Sequence, residues 1–244
     1  MILVGREFEE SMNISQWHVC QPAKIAGWFV FIVFLTGCGN SPSGNSSSAS
    51  VQNVQILNQQ EEKKAEVQEE NFSQPFVIYS NKGSKTNHYV PSGFMPDGKC
   101  VKFNDTWTKD CHSAPSCMKV EYDVACSKEN QKWAGVYWLN PPNNWGKTKG
   151  GFNLTGASKL TFWAKGEKGG ERLEEVKMGG LTGDYPDSDT AVIGPIFLTP
   201  EWKQYTIDLR GKDLSFISGG FAWSTNVEVN PQECTFYLDD VQYE

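Results

Sequence analysis

The chain has 244 residues, a formal net charge of -7 and 13% aromatic residues. The acidic balance argues against a nucleic-acid partner, which requires clustered lysine and arginine to neutralise phosphates. High aromatic content with modest charge instead favours a folded domain that offers flat side chains to a ligand.

The N-terminal segment has the features of an export signal. Lys24 precedes the run from Ile25 to Leu35, which is nearly all apolar but shorter than the about 20 residues that span a bilayer. The residues Leu35-Thr36-Gly37-Cys38 resemble the lipobox of bacterial lipoproteins. The resemblance implies cleavage before Cys38, acyl chains (such as palmitate) on its sulfur and attachment to a lipid bilayer.

Composition divides the chain into three parts. Residues 1–37 are predicted to be a lipoprotein signal peptide, and the acidic start makes Met12 a candidate for the true first residue. Residues 38–74 combine the lipidated cysteine with a Ser-, Gln- and Glu-rich disordered tether, about 30–35 Å in r.m.s. span. Residues 75–244 are the predicted folded domain. We expect an exported monomer, anchored at the bacterial outer membrane or cell surface.

Short β-strands dominate the predicted domain. Apolar and polar residues alternate over 118–124, 160–165, 205–209 and 236–239, with turn residues between the runs. Convincing helical periodicity is absent. The pattern predicts an all-β domain built as a sandwich or barrel.

Five of the seven cysteines lie in the predicted domain, and an odd number leaves at least one thiol unpaired. Cys100 and Cys111 flank a short polar loop and are the predicted disulfide pair, which export permits. Cys117 opens a strand and is predicted to be a buried free thiol. A disulfide between Cys126 and Cys234 stays open as an alternative.

Four segments together resemble jelly-roll carbohydrate-binding modules of the galactose-binding-like superfamily. They are Leu160 to Gly166, Glu201 to Leu209, Gly219 to Trp223 and the final run from Thr235 to Glu244. The resemblance implies two packed antiparallel sheets, a face or loop edge that binds glycans and, in many members, a structural calcium.

Aromatic platforms suit the flat C–H faces of sugars. Seven of the 9 tryptophans lie in the predicted domain, more than a small core needs. Trp163 lies on the same strand face as Lys159, Thr161 and Lys165, opposite the core residues, so we predict a stacking surface there. The alternative is that a loop or a neighbouring strand covers this ring.

The segment around the Pro-Pro turn supplies further candidate ligand-binding residues. Trp138 and Asn140 are predicted to share a strand face, Asn143 and Asn144 to meet sugar hydroxyls, and Trp145 to act as a rim aromatic. Turn chemistry and ordinary packing are the alternative.

Two aromatics complete the candidate ligand site. Tyr185 could serve as a loop platform. Trp223 is also a candidate, although it shares strand parity with Phe221, which favours the core. Around Tyr185, the acids Asp184, Asp187 and Asp189 lack the spacing of a known calcium loop, so a solvated turn is favoured.

The family resemblance places the candidate calcium ligands elsewhere. It implies a carboxylate, Asp239 or Asp240, closing a calcium site with the first strand, where Asn81 replaces the expected acid. Zinc is not expected, because His88 and His112 have no partner at metal-ligand spacing in the sequence.

Catalysis is not predicted. Glu121 and Asp123 share the predicted strand face at a spacing that glycosidases use, but nothing marks them as catalytic. The leading hypothesis is therefore a non-catalytic lipoprotein that binds a glycan by aromatic stacking. The alternatives are a protein–protein interaction domain and an unrecognised glycan hydrolase.

Overall fold

The computed structural model describes residues 72–244. The predicted signal peptide, Cys38 and nearly all of the predicted tether lie outside the described residues. Within 72–244, no helix is both long and apolar enough to cross a membrane.

Thirteen strands and one short helix form the described part of the chain. Their bounds are β1 Phe76–Tyr79, β2 Val90–Met95, β3 Val101–Trp107, β4 Cys117–Tyr122, α1 Val124–Glu129, β5 Trp133–Leu139, β6 Lys159–Gly166, β7 Arg172–Leu173, β8 Glu175–Gly179, β9 Thr190–Ile193, β10 Ile196–Phe197, β11 Lys203–Asp208, β12 Gly219–Asn226 and β13 Cys234–Tyr243.

The strands build two antiparallel sheets. The first has six strands in the order β11-β6-β13-β4-β3, with β1 also paired to β13. The second has five strands in the order β2-β5-β12-β8-β9, and β7 and β10 form a small separate pair. The predicted all-β, two-sheet antiparallel sandwich is confirmed.

Alternation along each strand places one set of side chains between the sheets. Phe162 on β6 and Phe236 on β13 meet Phe221 and Trp223 on β12 across this interior. Aromatic rings there pack edge-on or tilted, with centroids 5.0–5.3 Å apart for these pairs. The opposite parity of each strand therefore faces outward and defines two outer surfaces.

The helix α1 was not predicted from the sequence. Six residues are too few to show a 3.6-residue repeat. Its start is marked instead by a cap: the side chain of Asp123 accepts a hydrogen bond from Cys126 N at 2.9 Å. Asp123 therefore follows the strand and does not share a strand face with Glu121.

The predicted disulfide pairing was wrong. The structure pairs Cys100 with Cys126 and Cys111 with Cys117, and it leaves Cys234 as a buried free thiol. Cys100 and Cys111 lie at opposite ends of β3, roughly 20 Å apart at about 3.4 Å per residue. A disulfide needs Cα atoms within about 7 Å.

Candidate functional site

The outer face of the five-stranded sheet carries a strip of small side chains. The register pairs Ser224 of β12 with Gly135 of β5, and Ala222 with Tyr137. On its other side β12 pairs Ser224 with Glu175 of β8. Small residues along β12 and at Gly135 thus form a buried floor between larger side chains on the two flanking strands, and the Met95 methyl group packs against Gly135.

Those larger side chains form two unlike walls. Trp133 and Tyr137 project outward from β5, whereas Glu175 and Lys177 project outward from β8. The walls stand two strand spacings apart, about 10 Å. We call this surface the trough, defined by Trp133, Tyr137, Glu175, Lys177 and Ser224. On the aromatic side Trp133 is half-buried and Tyr137 is buried, and the other side offers an acid and a base.

Contacts within the trough fix the orientation of the Tyr137 and Lys177 side chains. The Tyr137 hydroxyl donates to the Gly179 carbonyl at 2.9 Å, which locks that ring. Lys177 Nζ lies 5.3 Å from the centre of the Tyr137 ring, so the ammonium reaches across Ala222 toward the aromatic wall. Burial lowers the pKa of Lys177, while nearby Glu175 and Asp187 act in the opposite direction.

Two loops meet at one end of the trough. Tyr185 N donates to Gly146 O at 2.9 Å, and the Trp145 ring meets Tyr137 edge-on at 5.9 Å. Gly146 has a φ of 74°, and a Cβ there would overlap the Thr182 carbonyl, so the close approach requires glycine. Tyr185 is 42% exposed and Trp145 is half-buried. The structure therefore brings these two predicted aromatics to the same end of one face.

Two of the three predicted asparagines hydrogen-bond to the backbone of the loops with their side chains. Asn140 Nδ2 donates to His88 O at 3.0 Å and its Oδ1 accepts from Gly151 N. Asn144 is buried, and its side chain bonds the backbone of Lys147 and Thr148. Asn143 is exposed at the turn, with φ of 60°. The turn-chemistry alternative explains Asn140 and Asn144, and the side chain of Asn143 stays available.

Two predicted ligand-binding tryptophans lie in the interior, so those predictions were wrong. Trp138 has no exposed surface and packs edge-on against Phe221 and Phe103. Trp223 is also buried, against Phe236. Both occupy the inward parity of their strands, as Phe221 already indicated for Trp223.

Trp163 lies on the outer face of the six-stranded sheet, as its parity predicted, but it is covered. The His112 ring stacks on it with centroids 3.8 Å apart and planes 16° apart. His112 belongs to the loop 108–116, which the Cys111–Cys117 disulfide closes. Ser113 N of the same loop donates to the buried Asp239 carboxylate at 2.8 Å. A loop thus occupies the predicted stacking surface.

The remaining aromatics of this face are engaged by lysines. Lys119 Nζ lies 4.7 Å from the Trp107 ring centre, and Lys165 Nζ lies 5.0 Å from Tyr237. Lys165 is also 5.7 Å from Trp202 and pairs with an aspartate of the loop. The aromatic rings of this face therefore already make cation–π contacts with lysines of the protein.

The two candidate calcium-binding acids lie beside a histidine. His112, Asp239 and Asp240 place ligand atoms within 4.8 Å of one another, whereas the Asn81 side chain donates to the Ser80 hydroxyl. Calcium takes 6–8 oxygen ligands, and imidazole suits zinc and other transition metals instead. Backbone N–H groups of Ser113 and Asp240 already donate to Asp239. This donor set does not fit calcium, and sequence spacing could not show that His112 reaches Asp240.

The acids of the Asp184–Asp189 run do not form a metal site. Asp187 accepts from the backbone N–H groups of Leu181 and Ser218, and Asp189 accepts from Asp213 N. Burial raises the pKa of Asp187, and these donors lower it. Among residues 72–244, the Asp184–Asp189 run supplies no metal-ligand group. The turn interpretation therefore explains it.

The acids that the sequence placed at glycosidase spacing have separate structural roles. Glu121 pairs with Lys119 at 2.6 Å, and this hydrogen bond lowers the pKa of Glu121. Asp123 caps α1.

Sequence reasoning missed the members of the trough. Trp133, Glu175, Lys177 and Ser224 were not selected, although each has the outward parity of its strand. The signal was present in the alternation of Glu175 and Lys177 with buried Val176 and Met178. What the sequence lacked was the pairing of β12 with both β5 and β8.

No protein-family model and no curated protein matches this sequence. Among solved structures, a family 30 carbohydrate-binding module is similar at 13% identity and TM-score 0.48, covering 69% of this chain and 86% of that one. A family 30 module of a cellulosomal cellulase of Clostridium thermocellum has 14% identity and TM-score 0.46, with coverages of 70% and 98%. A family 11 module from the same organism has 14% identity and TM-score 0.43, with coverages of 69% and 93%.

Proposed function

We propose that this chain is a non-catalytic glycan-binding lipoprotein that holds an oligosaccharide or polysaccharide in the trough. The observation that carries the proposal is the strand register. It places Gly135, Ala222 and Ser224 as a low floor between an aromatic wall and a charged wall.

Each wall matches one side of sugar chemistry. A pyranose ring has an apolar C–H face that loses water favourably against an indole, and Trp133 is half-buried on the aromatic wall. Its hydroxyl edge needs directed donors and acceptors, which the half-buried Glu175 and Lys177 supply. Trp145 and Tyr185 extend the aromatic surface at one end. We expect modest affinity, about micromolar to millimolar.

Membrane anchoring is a further part of the proposal. It rests on the apolar run and on Leu35-Thr36-Gly37-Cys38. Acyl chains on Cys38 would hold the glycan-binding domain at the bacterial outer membrane or cell surface on its tether. Metabolic labelling with a palmitate analogue tests this directly: label is expected on the wild-type chain and absent from Cys38→Ser.

The glycan test uses the full chain with Cys38→Ser, so that no acyl chain interferes. A glycan array followed by isothermal titration is expected to identify a neutral oligosaccharide ligand. Trp133→Ala should abolish most of this binding, whereas Trp202→Ala, on the opposite sheet, should not change it. Absence of any glycan ligand, or equal loss in both variants, would contradict the proposal.

The proposed glycan site needs no calcium. Among residues 72–244, neither Glu175 of the trough nor Asp187 is part of a metal-ligand group. Reading the array with and without a chelator checks this point, and equal binding is expected. Reducing-sugar release from a polysaccharide panel is expected to stay at background, since catalysis is not part of the proposal.

A protein partner is the second candidate function. Val192 on β9 and Phe197 on β10 are 55% and 61% exposed. Contact with another protein would remove this apolar surface from water. Crosslinking from position 192 in intact cells tests it: a specific adduct that Phe197→Asp removes, with glycan binding unchanged, would support this function.

A further inference from the structure

One of the trough's own side chains crosses it. Tyr137 projects from β5, and its hydroxyl donates to the Gly179 carbonyl of β8 at 2.9 Å. Strand β12 lies between β5 and β8, so the Tyr137 ring spans the floor from one wall to the other. Ala222, the register partner of Tyr137 on β12, is only 1% exposed. The ring therefore closes the trough at this row of the sheet.

Lys177 reinforces the closure from the opposite wall. It is the register partner of Ala222 on β8, and its Nζ lies 5.3 Å from the centre of the Tyr137 ring. Tyr137, Ala222 and Lys177 thus form one row across three neighbouring strands. The two large side chains of this row meet above the small one. We call Tyr137 and Lys177 the barrier.

The space behind the barrier is filled. Leu181 is buried and belongs to one apolar cluster with Tyr137 and Ala222. A Cβ added at Gly219, the first residue of β12, would lie 3.1 Å from the Tyr137 ring and 3.2 Å from Leu181 Cγ. The Asp187 carboxylate accepts from Leu181 N at 3.0 Å and from Gly219 N at 3.3 Å, which holds this loop against the start of β12. Side chains and loop backbone therefore occupy the place where the floor would continue.

The opposite end of the trough is accessible. Trp133 and Glu175, one on each wall, are both half-buried, and so is Asn226, the register partner of Trp133 on β12. Lys132, which precedes β5, and Glu228, which follows β12, are exposed. A chain of sugars can therefore leave the trough through this end, whereas the barrier closes the other.

A groove with one closed end selects the terminus of a chain. A sugar within a chain needs room for a neighbour on each side, and at the barrier one neighbour would overlap the Tyr137 ring. We infer that the trough binds the terminal sugar of a glycan and rejects the interior of the chain, an inference that rests on the proposed glycan binding. The terminal sugar lies against the barrier, with Trp133 and Glu175 beside it.

The experiment blocks each end of a short glycan in turn. Linear hexasaccharides of β-1,4-linked glucose, mannose and xylose are titrated against the full chain with Cys38→Ser. Each is used uncapped, with a bulky alkyl group on the reducing-end sugar, or with the same group on the non-reducing-end sugar. For a hexasaccharide that binds, capping one end should weaken binding roughly tenfold or more, and capping the other should leave it nearly unchanged. A much longer polymer of the same sugar should bind one protein molecule per chain.

Variants of the barrier locate the effect. Tyr137→Ala and, separately, Lys177→Ala should reduce the capping penalty to a few-fold at most, because each removes part of the barrier. Lys177 is half-buried, so its variant tests the barrier even if Tyr137→Ala perturbs folding. The matched control is Lys165→Ala on the opposite sheet, where Lys165 Nζ lies 5.0 Å from the Tyr237 ring. This variant should keep the full penalty.

The outcomes separate the inference from the proposed function. Equal binding of the uncapped and both capped forms, or a number of bound proteins that rises with polymer length, overturns the inference and leaves glycan binding in place. A capping penalty that survives in both barrier variants also overturns it. Failure of every probe to bind, capped or uncapped, contradicts the proposed function and removes the basis of the inference with it.

Discussion

Both outer faces of the sandwich carry aromatic and charged side chains, but these side chains are arranged differently on the two faces. On the six-stranded sheet, His112 lies flat on Trp163 and lysines lie over Trp107 and Tyr237. On the five-stranded sheet, small residues lower the surface between Trp133 and the charged pair on β8. Aromatic residues at outward positions are thus insufficient to define a ligand surface. What matters is whether the protein's own side chains already cover them.

The covering element is a local loop with its own crosslink. Loop 108–116 is closed by Cys111–Cys117 and tied to the sheet through Asp239. On the five-stranded sheet the cover is partial, because Lys177 lies over the buried Tyr137 ring whereas Trp133 keeps part of its surface exposed. The two faces should therefore respond differently to the same kinds of substitution.

The largest expected effect is a loss of stability on removing a disulfide, and it differs between the two disulfides. Removing Cys100–Cys126 with two serines should lower the free energy of unfolding by about 3.5 kcal/mol, because it closes 26 residues. Removing Cys111–Cys117 should lower it by about 2 kcal/mol, because it closes 6. Urea denaturation measures both. Equal losses would show that loop length does not govern these crosslinks.

The pH dependence of the free energy of unfolding tests the role of Asp239, whose carboxylate accepts a hydrogen bond from loop 108–116. Burial, assisted by Asp240, raises the pKa of Asp239 to about 6, although backbone donors and His112 act against this. The folded state then binds more protons than the unfolded state between about pH 4 and 6, so stability should fall as pH rises through this window. The expected loss is roughly 3 kcal/mol.

Asp239→Asn provides the control for that titration, since an amide cannot ionise. Its unfolding free energy should lack the fall between about pH 4 and 6, while the wild-type protein shows it. A wild-type profile that is flat or rises across this window would contradict the assignment.

A third prediction concerns the trough. Trp133→Ala should weaken neutral-glycan binding about 10- to 100-fold, the loss expected for one buried stacking platform. Isothermal titration measures it, with the melting temperature of the variant as a check on folding. Trp202→Ala is the matched tryptophan on the covered face, and its affinity should equal that of the wild type.

The smallest expected effect comes from uncovering Trp163. His112→Ala removes the stacked ring and should cost about 1 kcal/mol of stability, the order of one aromatic pair. Chemical denaturation measures this loss. If the variant also gained neutral-glycan affinity, Trp163 would be a second platform, and the distinction between the two faces would weaken.

Strand parity explains how much the sequence could predict. Alternation correctly placed Trp163 outside and indicated the core for Trp223, because each depends only on neighbours along one strand. The cover on Trp163 comes from His112, 51 positions away, and depends on how loop 108–116 folds back. The failed Cys100–Cys111 pair has a related cause: a short separation in sequence hid an intervening extended strand.

The trough itself required knowledge of strand order. Gly135, Ser224 and Glu175 are distant in sequence, and only the pairing of β12 with both β5 and β8 places them in one row. Turn chemistry and ligand chemistry also use the same residue types. Asn144 therefore looked like a hydroxyl partner, although its amide holds the backbone of its own loop.

Mapping of ¹H–¹⁵N chemical shifts during titration with a neutral oligosaccharide tests whether the glycan binds in the trough. We expect the largest shifts on the Trp133 indole and on the backbone amides of β5, β12 and β8, with loop 108–116 unaffected. Shifts confined to loop 108–116 and β13, with the Trp133 indole unmoved, would contradict it.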